Sequence, residues 1–361
     1  MRRAGSVRII AEAGVNHNGS LRLALRLVDA ARRAGADAVK FQTFRTEDVV
    51  TRSAPMAAYQ RRNLGRSGSQ WEMIRRLELS EADHRRLAER CRRAGIEFMS
   101  TPFDARSVDL LVRLGVKRLK VPSGEITNAP LLLRIARTRL PLVVSTGMST
   151  MDEVRAALGV LCWGWTSAAG DRPSRAAFAK ALKTGRSRKL LRDRVTLLHC
   201  TTQYPAPAEE ANLRAMGTLR EEFGTPVGLS DHTPGIAVSI AAVALGASVI
   251  EKHLTLDKKL PGPDHKASLD PAEMAQLVLS ARQVSGALGD GRKRPADCEL
   301  SNRLIARRSL VAARDIRRGQ ILGPQDLAAK RPSSGVSPFR YWDLLGRKAD
   351  RDYRADDRIR A

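Results

Sequence analysis

The sequence predicts a (β/α)8 TIM barrel followed by a small, mostly β C-terminal domain. Three observations indicate this fold class. Short apolar runs alternate eight times with amphipathic helical patterns in residues 1–289. The runs are almost continuously apolar, as expected for parallel strands that helices cover on both faces. The G-x-G-x-x-G turn typical of the competing doubly wound fold is missing after the first run.

The predicted strands are short and are each followed by a helical pattern. In chain order the strands are "VRIIAEAG", "AVKFQTF", "EFMSTPF", "RLKVPSG", "PLVVSTG", "VTLLHCT", "PVGLSDH" and "SVIEKHLT". The helices are "LRLALRLVDAARRAG", "EADHRRLAERCRRAG", "ARSVDLLVRLG", "APLLLRIART", "MDEVRAALGVL", "NLRAMGTLREEFG", "GIAVSIAAVALG" and "PAEMAQLVLSARQVSGALG". Glycine follows several of them, as helix C-caps require: Gly35, Gly95, Gly115, Gly224 and Gly246.

Changes in composition predict the domain boundaries. Residues 1–289 form the barrel, which is interrupted at 163–194 by a basic segment expected to be an inserted surface helix and loop. Residues 290–302 are polar and broken by proline, as in a linker. Residues 303–361 contain short strand patterns with turns, and we expect this small domain to pack on the barrel or on another subunit, because alone it can bury only a modest core.

Composition excludes several classes of protein. The net charge of +25 is typical of nucleic-acid binding, but arginine is scattered over helix faces and aromatic residues are only 4%, so a nucleic-acid partner is not expected. The positive field favours an anionic substrate instead. No apolar run is long enough to cross a membrane, and the N-terminal residues do not form a signal peptide, so we expect a cytoplasmic protein. The four cysteines are widely spaced, which argues against disulfides and a structural zinc site.

Polar side chains follow nearly every predicted strand. In a TIM barrel the C-terminal strand ends carry the active site, so these side chains are expected to meet at one mouth. Five of the six histidines lie in these segments or just after the last one. The polar residues are Glu12, Asn16, His17, Lys40, Gln42, Ser100, Thr101, Lys120, Ser123, Glu125, Ser145, Thr146, His199, Thr201, Thr202, Ser230, Asp231, His232, Glu251, Lys252 and His253.

One subset of these residues suits an anion. Cations and hydroxyl groups that approach from several strands neutralise a phosphate or carboxylate by charge-assisted hydrogen bonds. Because a glycine-rich nucleotide loop is absent, a small phosphorylated acid is a better candidate than ATP. The subset is Lys40, Thr101, Lys120, Ser123, Ser145 and Ser230.

A second subset could bind a metal. His232 and His253 end neighbouring predicted strands and could together hold a divalent cation that keeps open positions. Asp231, Glu251 and Asp264 nearby could orient the imidazoles. Two histidines can also be structural, and the residues alone leave both interpretations open. Cys200 is expected to be a packing thiol.

These motifs resemble those of the sialic acid synthase family, which condenses phosphoenolpyruvate with an N-acetylhexosamine aldehyde. The tail "ARRSLVAARDIRRGQIL…KRP" resembles the antifreeze-like SAF domain, a β-clip fold, that follows the barrel in that family. The basic insertion has no counterpart in the resemblance. The matching barrel stretches are "AEAGVNHNG", "KFQTF", "STPFD", "KVPSGEITN", "STGMS", "LLHCTTQYPAP", "GLSDHT" and "EKHLTLDK…PGPDHKASL".

The resemblance implies a role for individual residues. Lys40, Thr101, Lys120, Ser123, Ser145 and Ser230 match positions that bind phosphoenolpyruvate. His232 and His253 match ligands of a divalent metal, usually Mn²⁺, with Mg²⁺ or Co²⁺ as alternatives. Glu12, Tyr204 and the two histidines match catalytic positions. Gln42, Glu125, Tyr204, Asp264 and Arg331 match positions around the sugar. Arg331 would come from the partner subunit of a domain-swapped homodimer.

The implied activity is that of a transferase that makes a nonulosonic acid and phosphate, with cleavage of the C–O bond of phosphoenolpyruvate. N-acetylmannosamine is the first expected sugar, and 2,4-diacetamido-2,4,6-trideoxy-mannose, which leads to legionaminic acid, is the alternative. A phosphorylated sugar is less favoured. A non-catalytic carbohydrate-binding protein is a distant alternative. Ser333 and Gln203 depart from residues common in the family, Gly and Glu respectively.

Overall fold

The eight predicted strands form one parallel sheet in the computed structural model, which describes residues 7–65, 68–168 and 170–360. The strands are β1 Arg8–Gly14, β2 Ala38–Thr43, β3 Glu97–Pro102, β4 Leu119–Val121, β5 Leu142–Ser145, β6 Val195–Cys200, β7 Val227–Asp231 and β8 Val249–His253. Their order is β3-β2-β1-β8-β7-β6-β5-β4, and β3 also contacts β4. The sheet therefore closes into the predicted barrel, and the predicted fold class is confirmed.

Helices surround this barrel. They are α1 Leu21–Arg33, α2 Thr46–Val49, α3 Ala58–Leu64, α4 Gln70–Arg75, α5 Glu81–Ala94, α6 Ala105–Arg113, α7 Ala129–Arg137, α8 Met151–Thr166, α9 Arg175–Leu182, α10 Gly185–Arg194, α11 Ala215–Phe223, α12 Ala237–Ala244 and α13 Pro271–Ala287. Their ends follow the chemistry of the sequence. Ser80 and Asp83 form a capping box before α5, and Gly95 and Gly224 end α5 and α11 in the left-handed conformation.

The strands are buried because apolar side chains project from both of their faces and pack on either side. Ile9 packs into the large cluster between the sheet and the helices, whereas its neighbour Ile10 belongs to a cluster with Met99, Val143 and Leu198. Successive residues of a strand point to opposite faces, so the second cluster fills the barrel interior. The apolar strands thus leave room for polar side chains only at their ends.

Two segments of the barrel unit differ from the simple alternation. Between β2 and β3 the chain forms α2, α3 and α4, which were not predicted as helices. In the basic segment 163–194, residues 163–166 complete α8, because Trp163 and Trp165 are buried against the barrel helices. The rest of that segment contains two helices, α9 and α10. Among the described residues no helix is long and apolar enough to span a membrane.

The second unit begins at Gly289. It contains α14 Leu300–Ala306, β9 Ser309–Ala312, β10 Leu327–Lys330 and α15 Tyr341–Leu344. β9 and β10 are antiparallel, and single bridges such as Ile316 to Tyr353 add further pairing. The unit has its own small core, which includes Leu310, Ile316 and Tyr353. The mostly β character predicted for this region is confirmed, although α14 begins inside the expected linker.

Candidate active site

The carboxyl ends of the strands surround a cavity of about 360 Å³. Strand register explains why their polar residues meet. Glu12 lies beside Lys40 and His253, Gln42 beside Thr101, and Ser230 beside Glu251. Fourteen of the residues predicted for this site line the cavity: Glu12, Lys40, Gln42, Thr101, Lys120, Ser123, Ser145, Thr202, Tyr204, Ser230, His232, Glu251, His253 and Asp264.

Two lysines and two glutamates form a buried network in this cavity. The Lys40 ammonium is 2.7 Å from a Glu12 carboxylate oxygen and 3.6 Å from Glu251, and it donates to the Thr101 hydroxyl at 3.0 Å. Lys120 Nζ donates to Glu251 at 2.7 Å. Isolated charges at this depth would cost several kcal/mol each, so each lysine needs a carboxylate partner until an anionic ligand replaces it.

The two carboxylates of this network differ in their affinity for protons. Burial alone would raise the pKa of Glu251, but the adjacent Lys120 and Lys40 bring it down to about 2. Glu251 also accepts a hydrogen bond from the Ser230 hydroxyl at 2.9 Å. Burial raises the pKa of Glu12 to about 7, which Lys40 offsets only in part. Glu12 can therefore gain or lose a proton near neutral pH, whereas Glu251 stays ionised.

Free hydroxyl groups complete the polar end of the cavity. The Ser145 and Thr202 hydroxyls are buried without a hydrogen-bond partner in the described chain. Ser123 accepts from the Gly147 amide at 3.0 Å. A Cβ atom on Gly147 would lie 2.3 Å from the Thr202 hydroxyl, so only glycine allows this close approach. These donors have the chemistry to hold phosphate oxygens.

The two predicted metal ligands lie side by side under an aromatic ring. The imidazole centroids of His232 and His253 are 5.4 Å apart, and the Tyr204 ring lies 4.1 Å from His232 and 5.6 Å from His253. His232 Nδ1 lies 2.7 Å from the Thr201 carbonyl, which can only accept, so Nδ1 carries a proton and Nε2 is the nitrogen left for a ligand. Burial, with the nearby His232, keeps the pKa of His253 well below its ordinary value.

These residues fit a divalent cation. His253 is neutral, and its Nδ1 is buried without a partner in the described chain. A Cβ atom on Gly14 would lie 3.3 Å from a Glu12 oxygen and 3.4 Å from His253, which shows that this carboxylate borders the imidazole. Across the described ranges no group of three or more His, Cys, Asp or Glu could hold a metal by itself. A cation here would therefore need ligands from water or substrate.

Asp264 reaches the cavity on the loop after β8. Burial raises the pKa of its carboxyl to about 6. The loop is held in place from both sides. Asn63 donates to the Pro263 carbonyl at 2.6 Å, and Asn16 donates to Leu254 and Ser268 at 2.9 and 2.8 Å. Asn16 of the "NHNG" motif thus helps to hold the loop that carries Asp264.

Nine of the polar residues predicted to meet at the mouth do not line the cavity: Asn16, His17, Ser100, Glu125, Thr146, His199, Thr201, Asp231 and Lys252. Glu125 is in a short 3-10 helix after β4, accepts from the Asn128 amide at 2.7 Å and does not line the cavity. Asp231 pairs with Lys252 at 2.9 Å instead of approaching the histidines. Arg331 belongs to the second unit and is exposed there. A strand-end position predicts closeness to the mouth, but side-chain direction depends on the alternation of the strand.

Several cavity residues were not among the predicted site residues. Cys200, which was expected to be a packing thiol, lines it from β6, and Met148 lines it from the loop after β5 with a positive φ of 61°. Tyr59 and Gln70 come from α3 and α4. The sequence signal that could have identified Tyr59 and Gln70 was their position in the long connection after β2. In a barrel, such a βα connection lies on the same face as the active site.

The fold and site agree with two family models. The model described as the NeuB family matches residues 27–293. The model described as the SAF domain matches residues 307–361. Together they cover most of both units, and the resemblance seen in the sequence is confirmed.

Individual relatives are similar over almost the whole chain. The N,N'-diacetyllegionaminic acid synthase of Campylobacter jejuni is 47% identical over 98% of this chain and 98% of its own length. The enzyme of the same name from Legionella pneumophila is 48% identical over 94% of this chain and 89% of its own. A crystal structure of N-acetylneuraminic acid (sialic acid) synthetase from Leptospira borgpetersenii, in complex with citrate, is 32% identical with a TM-score of 0.66, covering 82% of this chain and 90% of that one.

Proposed function

The chain belongs to the NeuB family, and on this basis we propose that it condenses phosphoenolpyruvate with 2,4-diacetamido-2,4,6-trideoxy-mannose. The products would be a nonulosonic acid of the legionaminic type and phosphate. The observation that carries this proposal is the buried set of Lys40, Lys120 and free hydroxyl groups beside the imidazoles of His232 and His253 in one barrel mouth. Such a site suits an enol phosphate on one side and a carbonyl compound on the other.

The choice of sugar rests on the relatives and on the charge of the cavity. The two curated relatives described above are named for a diacetylated product, which favours the diacetamido sugar over N-acetylmannosamine. Among the described residues that line the cavity, Lys40 and Lys120 are the only cations. Both are needed for phosphoenolpyruvate, so a phosphorylated sugar would bring a second phosphate without a lysine or arginine partner from the same chain.

Binding would exchange one set of ion pairs for another. The phosphate and carboxylate of phosphoenolpyruvate would take Lys40 and Lys120 from Glu12 and Glu251, and Thr101, Ser123, Ser145 and Ser230 would donate hydroxyl hydrogen bonds. Asp264 and Gln42 would hold polar groups of the open-chain sugar. Placing both reactants in one cavity removes much of the entropy cost of their encounter.

The reaction then forms one carbon–carbon bond and needs a group that accepts a proton from water. C3 of phosphoenolpyruvate attacks the aldehyde carbon, and the aldehyde oxygen takes up a proton from solvent to become a hydroxyl group. Water adds at C2, and a carboxylate oxygen of Glu12, whose pKa is about 7, accepts one of its protons. The bond between C2 and the bridging oxygen breaks, phosphate leaves with that oxygen, and the new C2 hydroxyl group gives its proton to the leaving phosphate as C2 becomes a ketone. When bound by His232 and His253, a divalent cation such as Mn²⁺ would supply Lewis acidity for the aldehyde.

We also propose that the active unit is a homodimer in which Arg331 serves the partner's cavity. Exposed apolar side chains in the second unit support an interface: Leu304 is 63% exposed, Phe339 94% and Trp342 75%. Large exposed apolar groups of this kind are typical of surfaces that another subunit covers.

A phosphate-release assay tests the proposed reaction. The protein is incubated with phosphoenolpyruvate, Mn²⁺ and either the diacetamido sugar or N-acetylmannosamine. We expect faster phosphate release with the diacetamido sugar and none without sugar. His253→Ala should abolish turnover. The absence of sugar-dependent phosphate release, or a clear preference for N-acetylmannosamine, would contradict the proposal.

A further inference from the structure

The outer part of the cavity is lined by one face of α4 and the turn that follows it. Gln70, Met73, Ile74 and Leu77 all line the cavity. Residues at these spacings lie on the same side of a helix, so a single helical face is turned toward the ligand space. This face lies outside the set of residues assigned to either substrate above.

The backbone fixes the position of Gln70. Its N–H donates to the Ala54 carbonyl at 3.0 Å, and the preceding Ser69 bridges to Pro55. The Ser69 hydroxyl accepts from the Trp71 amide at 3.2 Å and donates to the Arg52 carbonyl at 3.0 Å, which caps α4. The Gln70 side chain therefore starts from a well-anchored point at the cavity wall.

The carboxamide of Gln70 has no hydrogen-bond partner within the part of the chain that the structure describes, and the same holds for Gln42. The contrast is Gln60, whose side chain accepts from the Ala57 amide at 2.8 Å and donates to the Tyr59 hydroxyl at 3.4 Å. Both residues are partly exposed, so their amides can exchange bound water for a ligand. Gln42 and Gln70 thus present two free donor–acceptor groups to the cavity.

The chemistry of this wall matches an acylated, deoxygenated sugar. An acetamido group offers one N–H and one carbonyl, which a carboxamide can pair with, and a methyl group that needs apolar contact. Met73 and Leu77 are 7% and 9% exposed, and Phe44 and Val49 extend the apolar lining. The wall carries no lysine or arginine among the described lining residues, so it does not suit a charged substituent.

We propose that Gln70 is a specificity-determining residue that hydrogen-bonds the second acetamido group of the sugar, while Met73 and its neighbours receive the adjacent methyl groups. This inference rests on the proposed function and adds the residue that separates diacetamido from monoacetamido sugars. Gln42 serves the first acetamido group, because it lies beside Thr101 at the phosphoenolpyruvate end. Without Gln70 the second acetamido group loses its partners, whereas N-acetylmannosamine loses none.

Steady-state kinetics of Gln70→Leu with both sugars test this inference. The substitution keeps the side-chain size and removes the donor and acceptor. We expect kcat/KM for the diacetamido sugar to fall by about 10-fold or more, since two hydrogen bonds are lost. For N-acetylmannosamine kcat/KM should change by less than about 3-fold. Gln276→Leu on the outer surface of α13, where Gln276 donates to Ser280, is the matched control and should change neither value.

Four other results are informative. Equal losses with both sugars in a variant whose thermal unfolding matches the wild type would overturn the inference, because Gln70 would then be structural. Unchanged kinetics with both sugars would overturn it as well. If Gln70→Leu does not fold, Gln70→Ala must show the same selective loss. Wild-type protein without turnover on either sugar would instead refute the proposed function, and this inference with it.

Discussion

At the residue scale, Glu251 balances the charge of the cavity. It contacts Lys120, Ser230 and Lys40 while fully buried, and the lysines keep its pKa near 2. A buried charge is tolerated only while its partner is present. The Lys120–Glu251 pair is therefore needed for stability in the empty protein. In the proposed complex, phosphoenolpyruvate would replace Glu251 as the partner of Lys120.

Charge removal on one side of this pair should destabilise the protein. We expect Lys120→Met to lower the free energy of unfolding by about 3–5 kcal/mol, because Glu251 is left buried without its closest partner. The double variant Lys120→Met with Glu251→Met should recover most of this loss. Both variants should lack turnover. Urea unfolding at neutral pH measures the stability change, and a double variant no more stable than Lys120→Met would contradict this account.

The ionised side chain of Asp264 lowers the stability of the folded protein, because it is buried. Its pKa is raised by burial from 3.8 to about 6, so between these values the folded protein keeps a proton that the unfolded chain releases. The stability of the folded state therefore falls as pH rises through this window, and the penalty above it is roughly 3 kcal/mol.

Asp264→Asn should remove this penalty. We expect the variant to be more stable than the wild type by about 2–3 kcal/mol at pH 7 and of similar stability near pH 4. It should also bind the sugar more weakly, because the carboxylate is lost. Urea unfolding across this pH range provides the measurement. Asp193→Asn on exposed α10 serves as the control. An equal stability difference at both pH values would show that burial of the Asp264 charge is not the cause.

At this scale the sequence predicted the lysines, histidines and hydroxyl groups of the mouth, because their place at strand ends follows from barrel topology. It did not predict Gln70 or Tyr59, since their approach to the cavity depends on how α3 and α4 fold back over it. It misplaced Asp231, because one residue along a strand reverses the direction of a side chain, and Glu125, because the chain turns into a short 3-10 helix after β4.

At the element scale, the close fit between neighbouring strands is most evident in β7. A Cβ atom on Gly228 would lie 2.2 Å from the Val249 carbonyl oxygen of β8 and 2.8 Å from a Leu198 methyl group of β6. The positions of Ser230 and His232 at the end of β7 depend on this close approach of β7 to its neighbouring strands. Glycine here is required by space, whatever its backbone conformation.

Two glycine substitutions should act in opposite directions. Gly228→Ala should lower the free energy of unfolding by about 3 kcal/mol or more, because strands β7 and β8 must separate. Gly217→Ala in α11, where nothing lies within 4 Å of the added carbon, should raise it by about 0.5–1 kcal/mol through its helix propensity. Chemical unfolding of both variants compares them. A harmless Gly228→Ala would contradict the described packing of β7.

The barrel strands could be predicted because few other folds have continuous apolar runs that alternate with helical patterns. The segment with α2, α3 and α4 could not, because these helices are short and are stabilised by tertiary contacts such as that of Asn63 with Pro263. The end of α8 was misjudged for a related reason. Trp163 and Trp165 look like the start of an irregular insertion, yet burial keeps them in the helix.

At the scale of the whole molecule, the proposed dimer makes a distinctive prediction. If Arg331 acts in the partner's cavity, Arg331→Ala in one subunit and His253→Ala in the other damage the same cavity of a mixed dimer and leave the second cavity intact. Refolding or co-expressing the two inactive variants should then restore roughly a quarter of the wild-type activity, since half of the dimers are mixed and each has one intact site.

The control is to assay the separately prepared variants after simple addition without subunit exchange, which should give no recovery. Size-exclusion chromatography with light scattering should report a dimer for both variants. Failure of co-expressed variants to recover activity, although mixed dimers form, would show that Arg331 acts within its own chain or not at all.

The central claim is that this cavity joins phosphoenolpyruvate to the diacetamido sugar and breaks the C–O bond. Turnover of phosphoenolpyruvate labelled with ¹⁸O at the bridging oxygen tests it most directly. We predict that mass spectrometry will find the label in the released phosphate and none of it in the nonulosonic acid. Label retained in the sugar acid, or no acid product at all, would contradict the account.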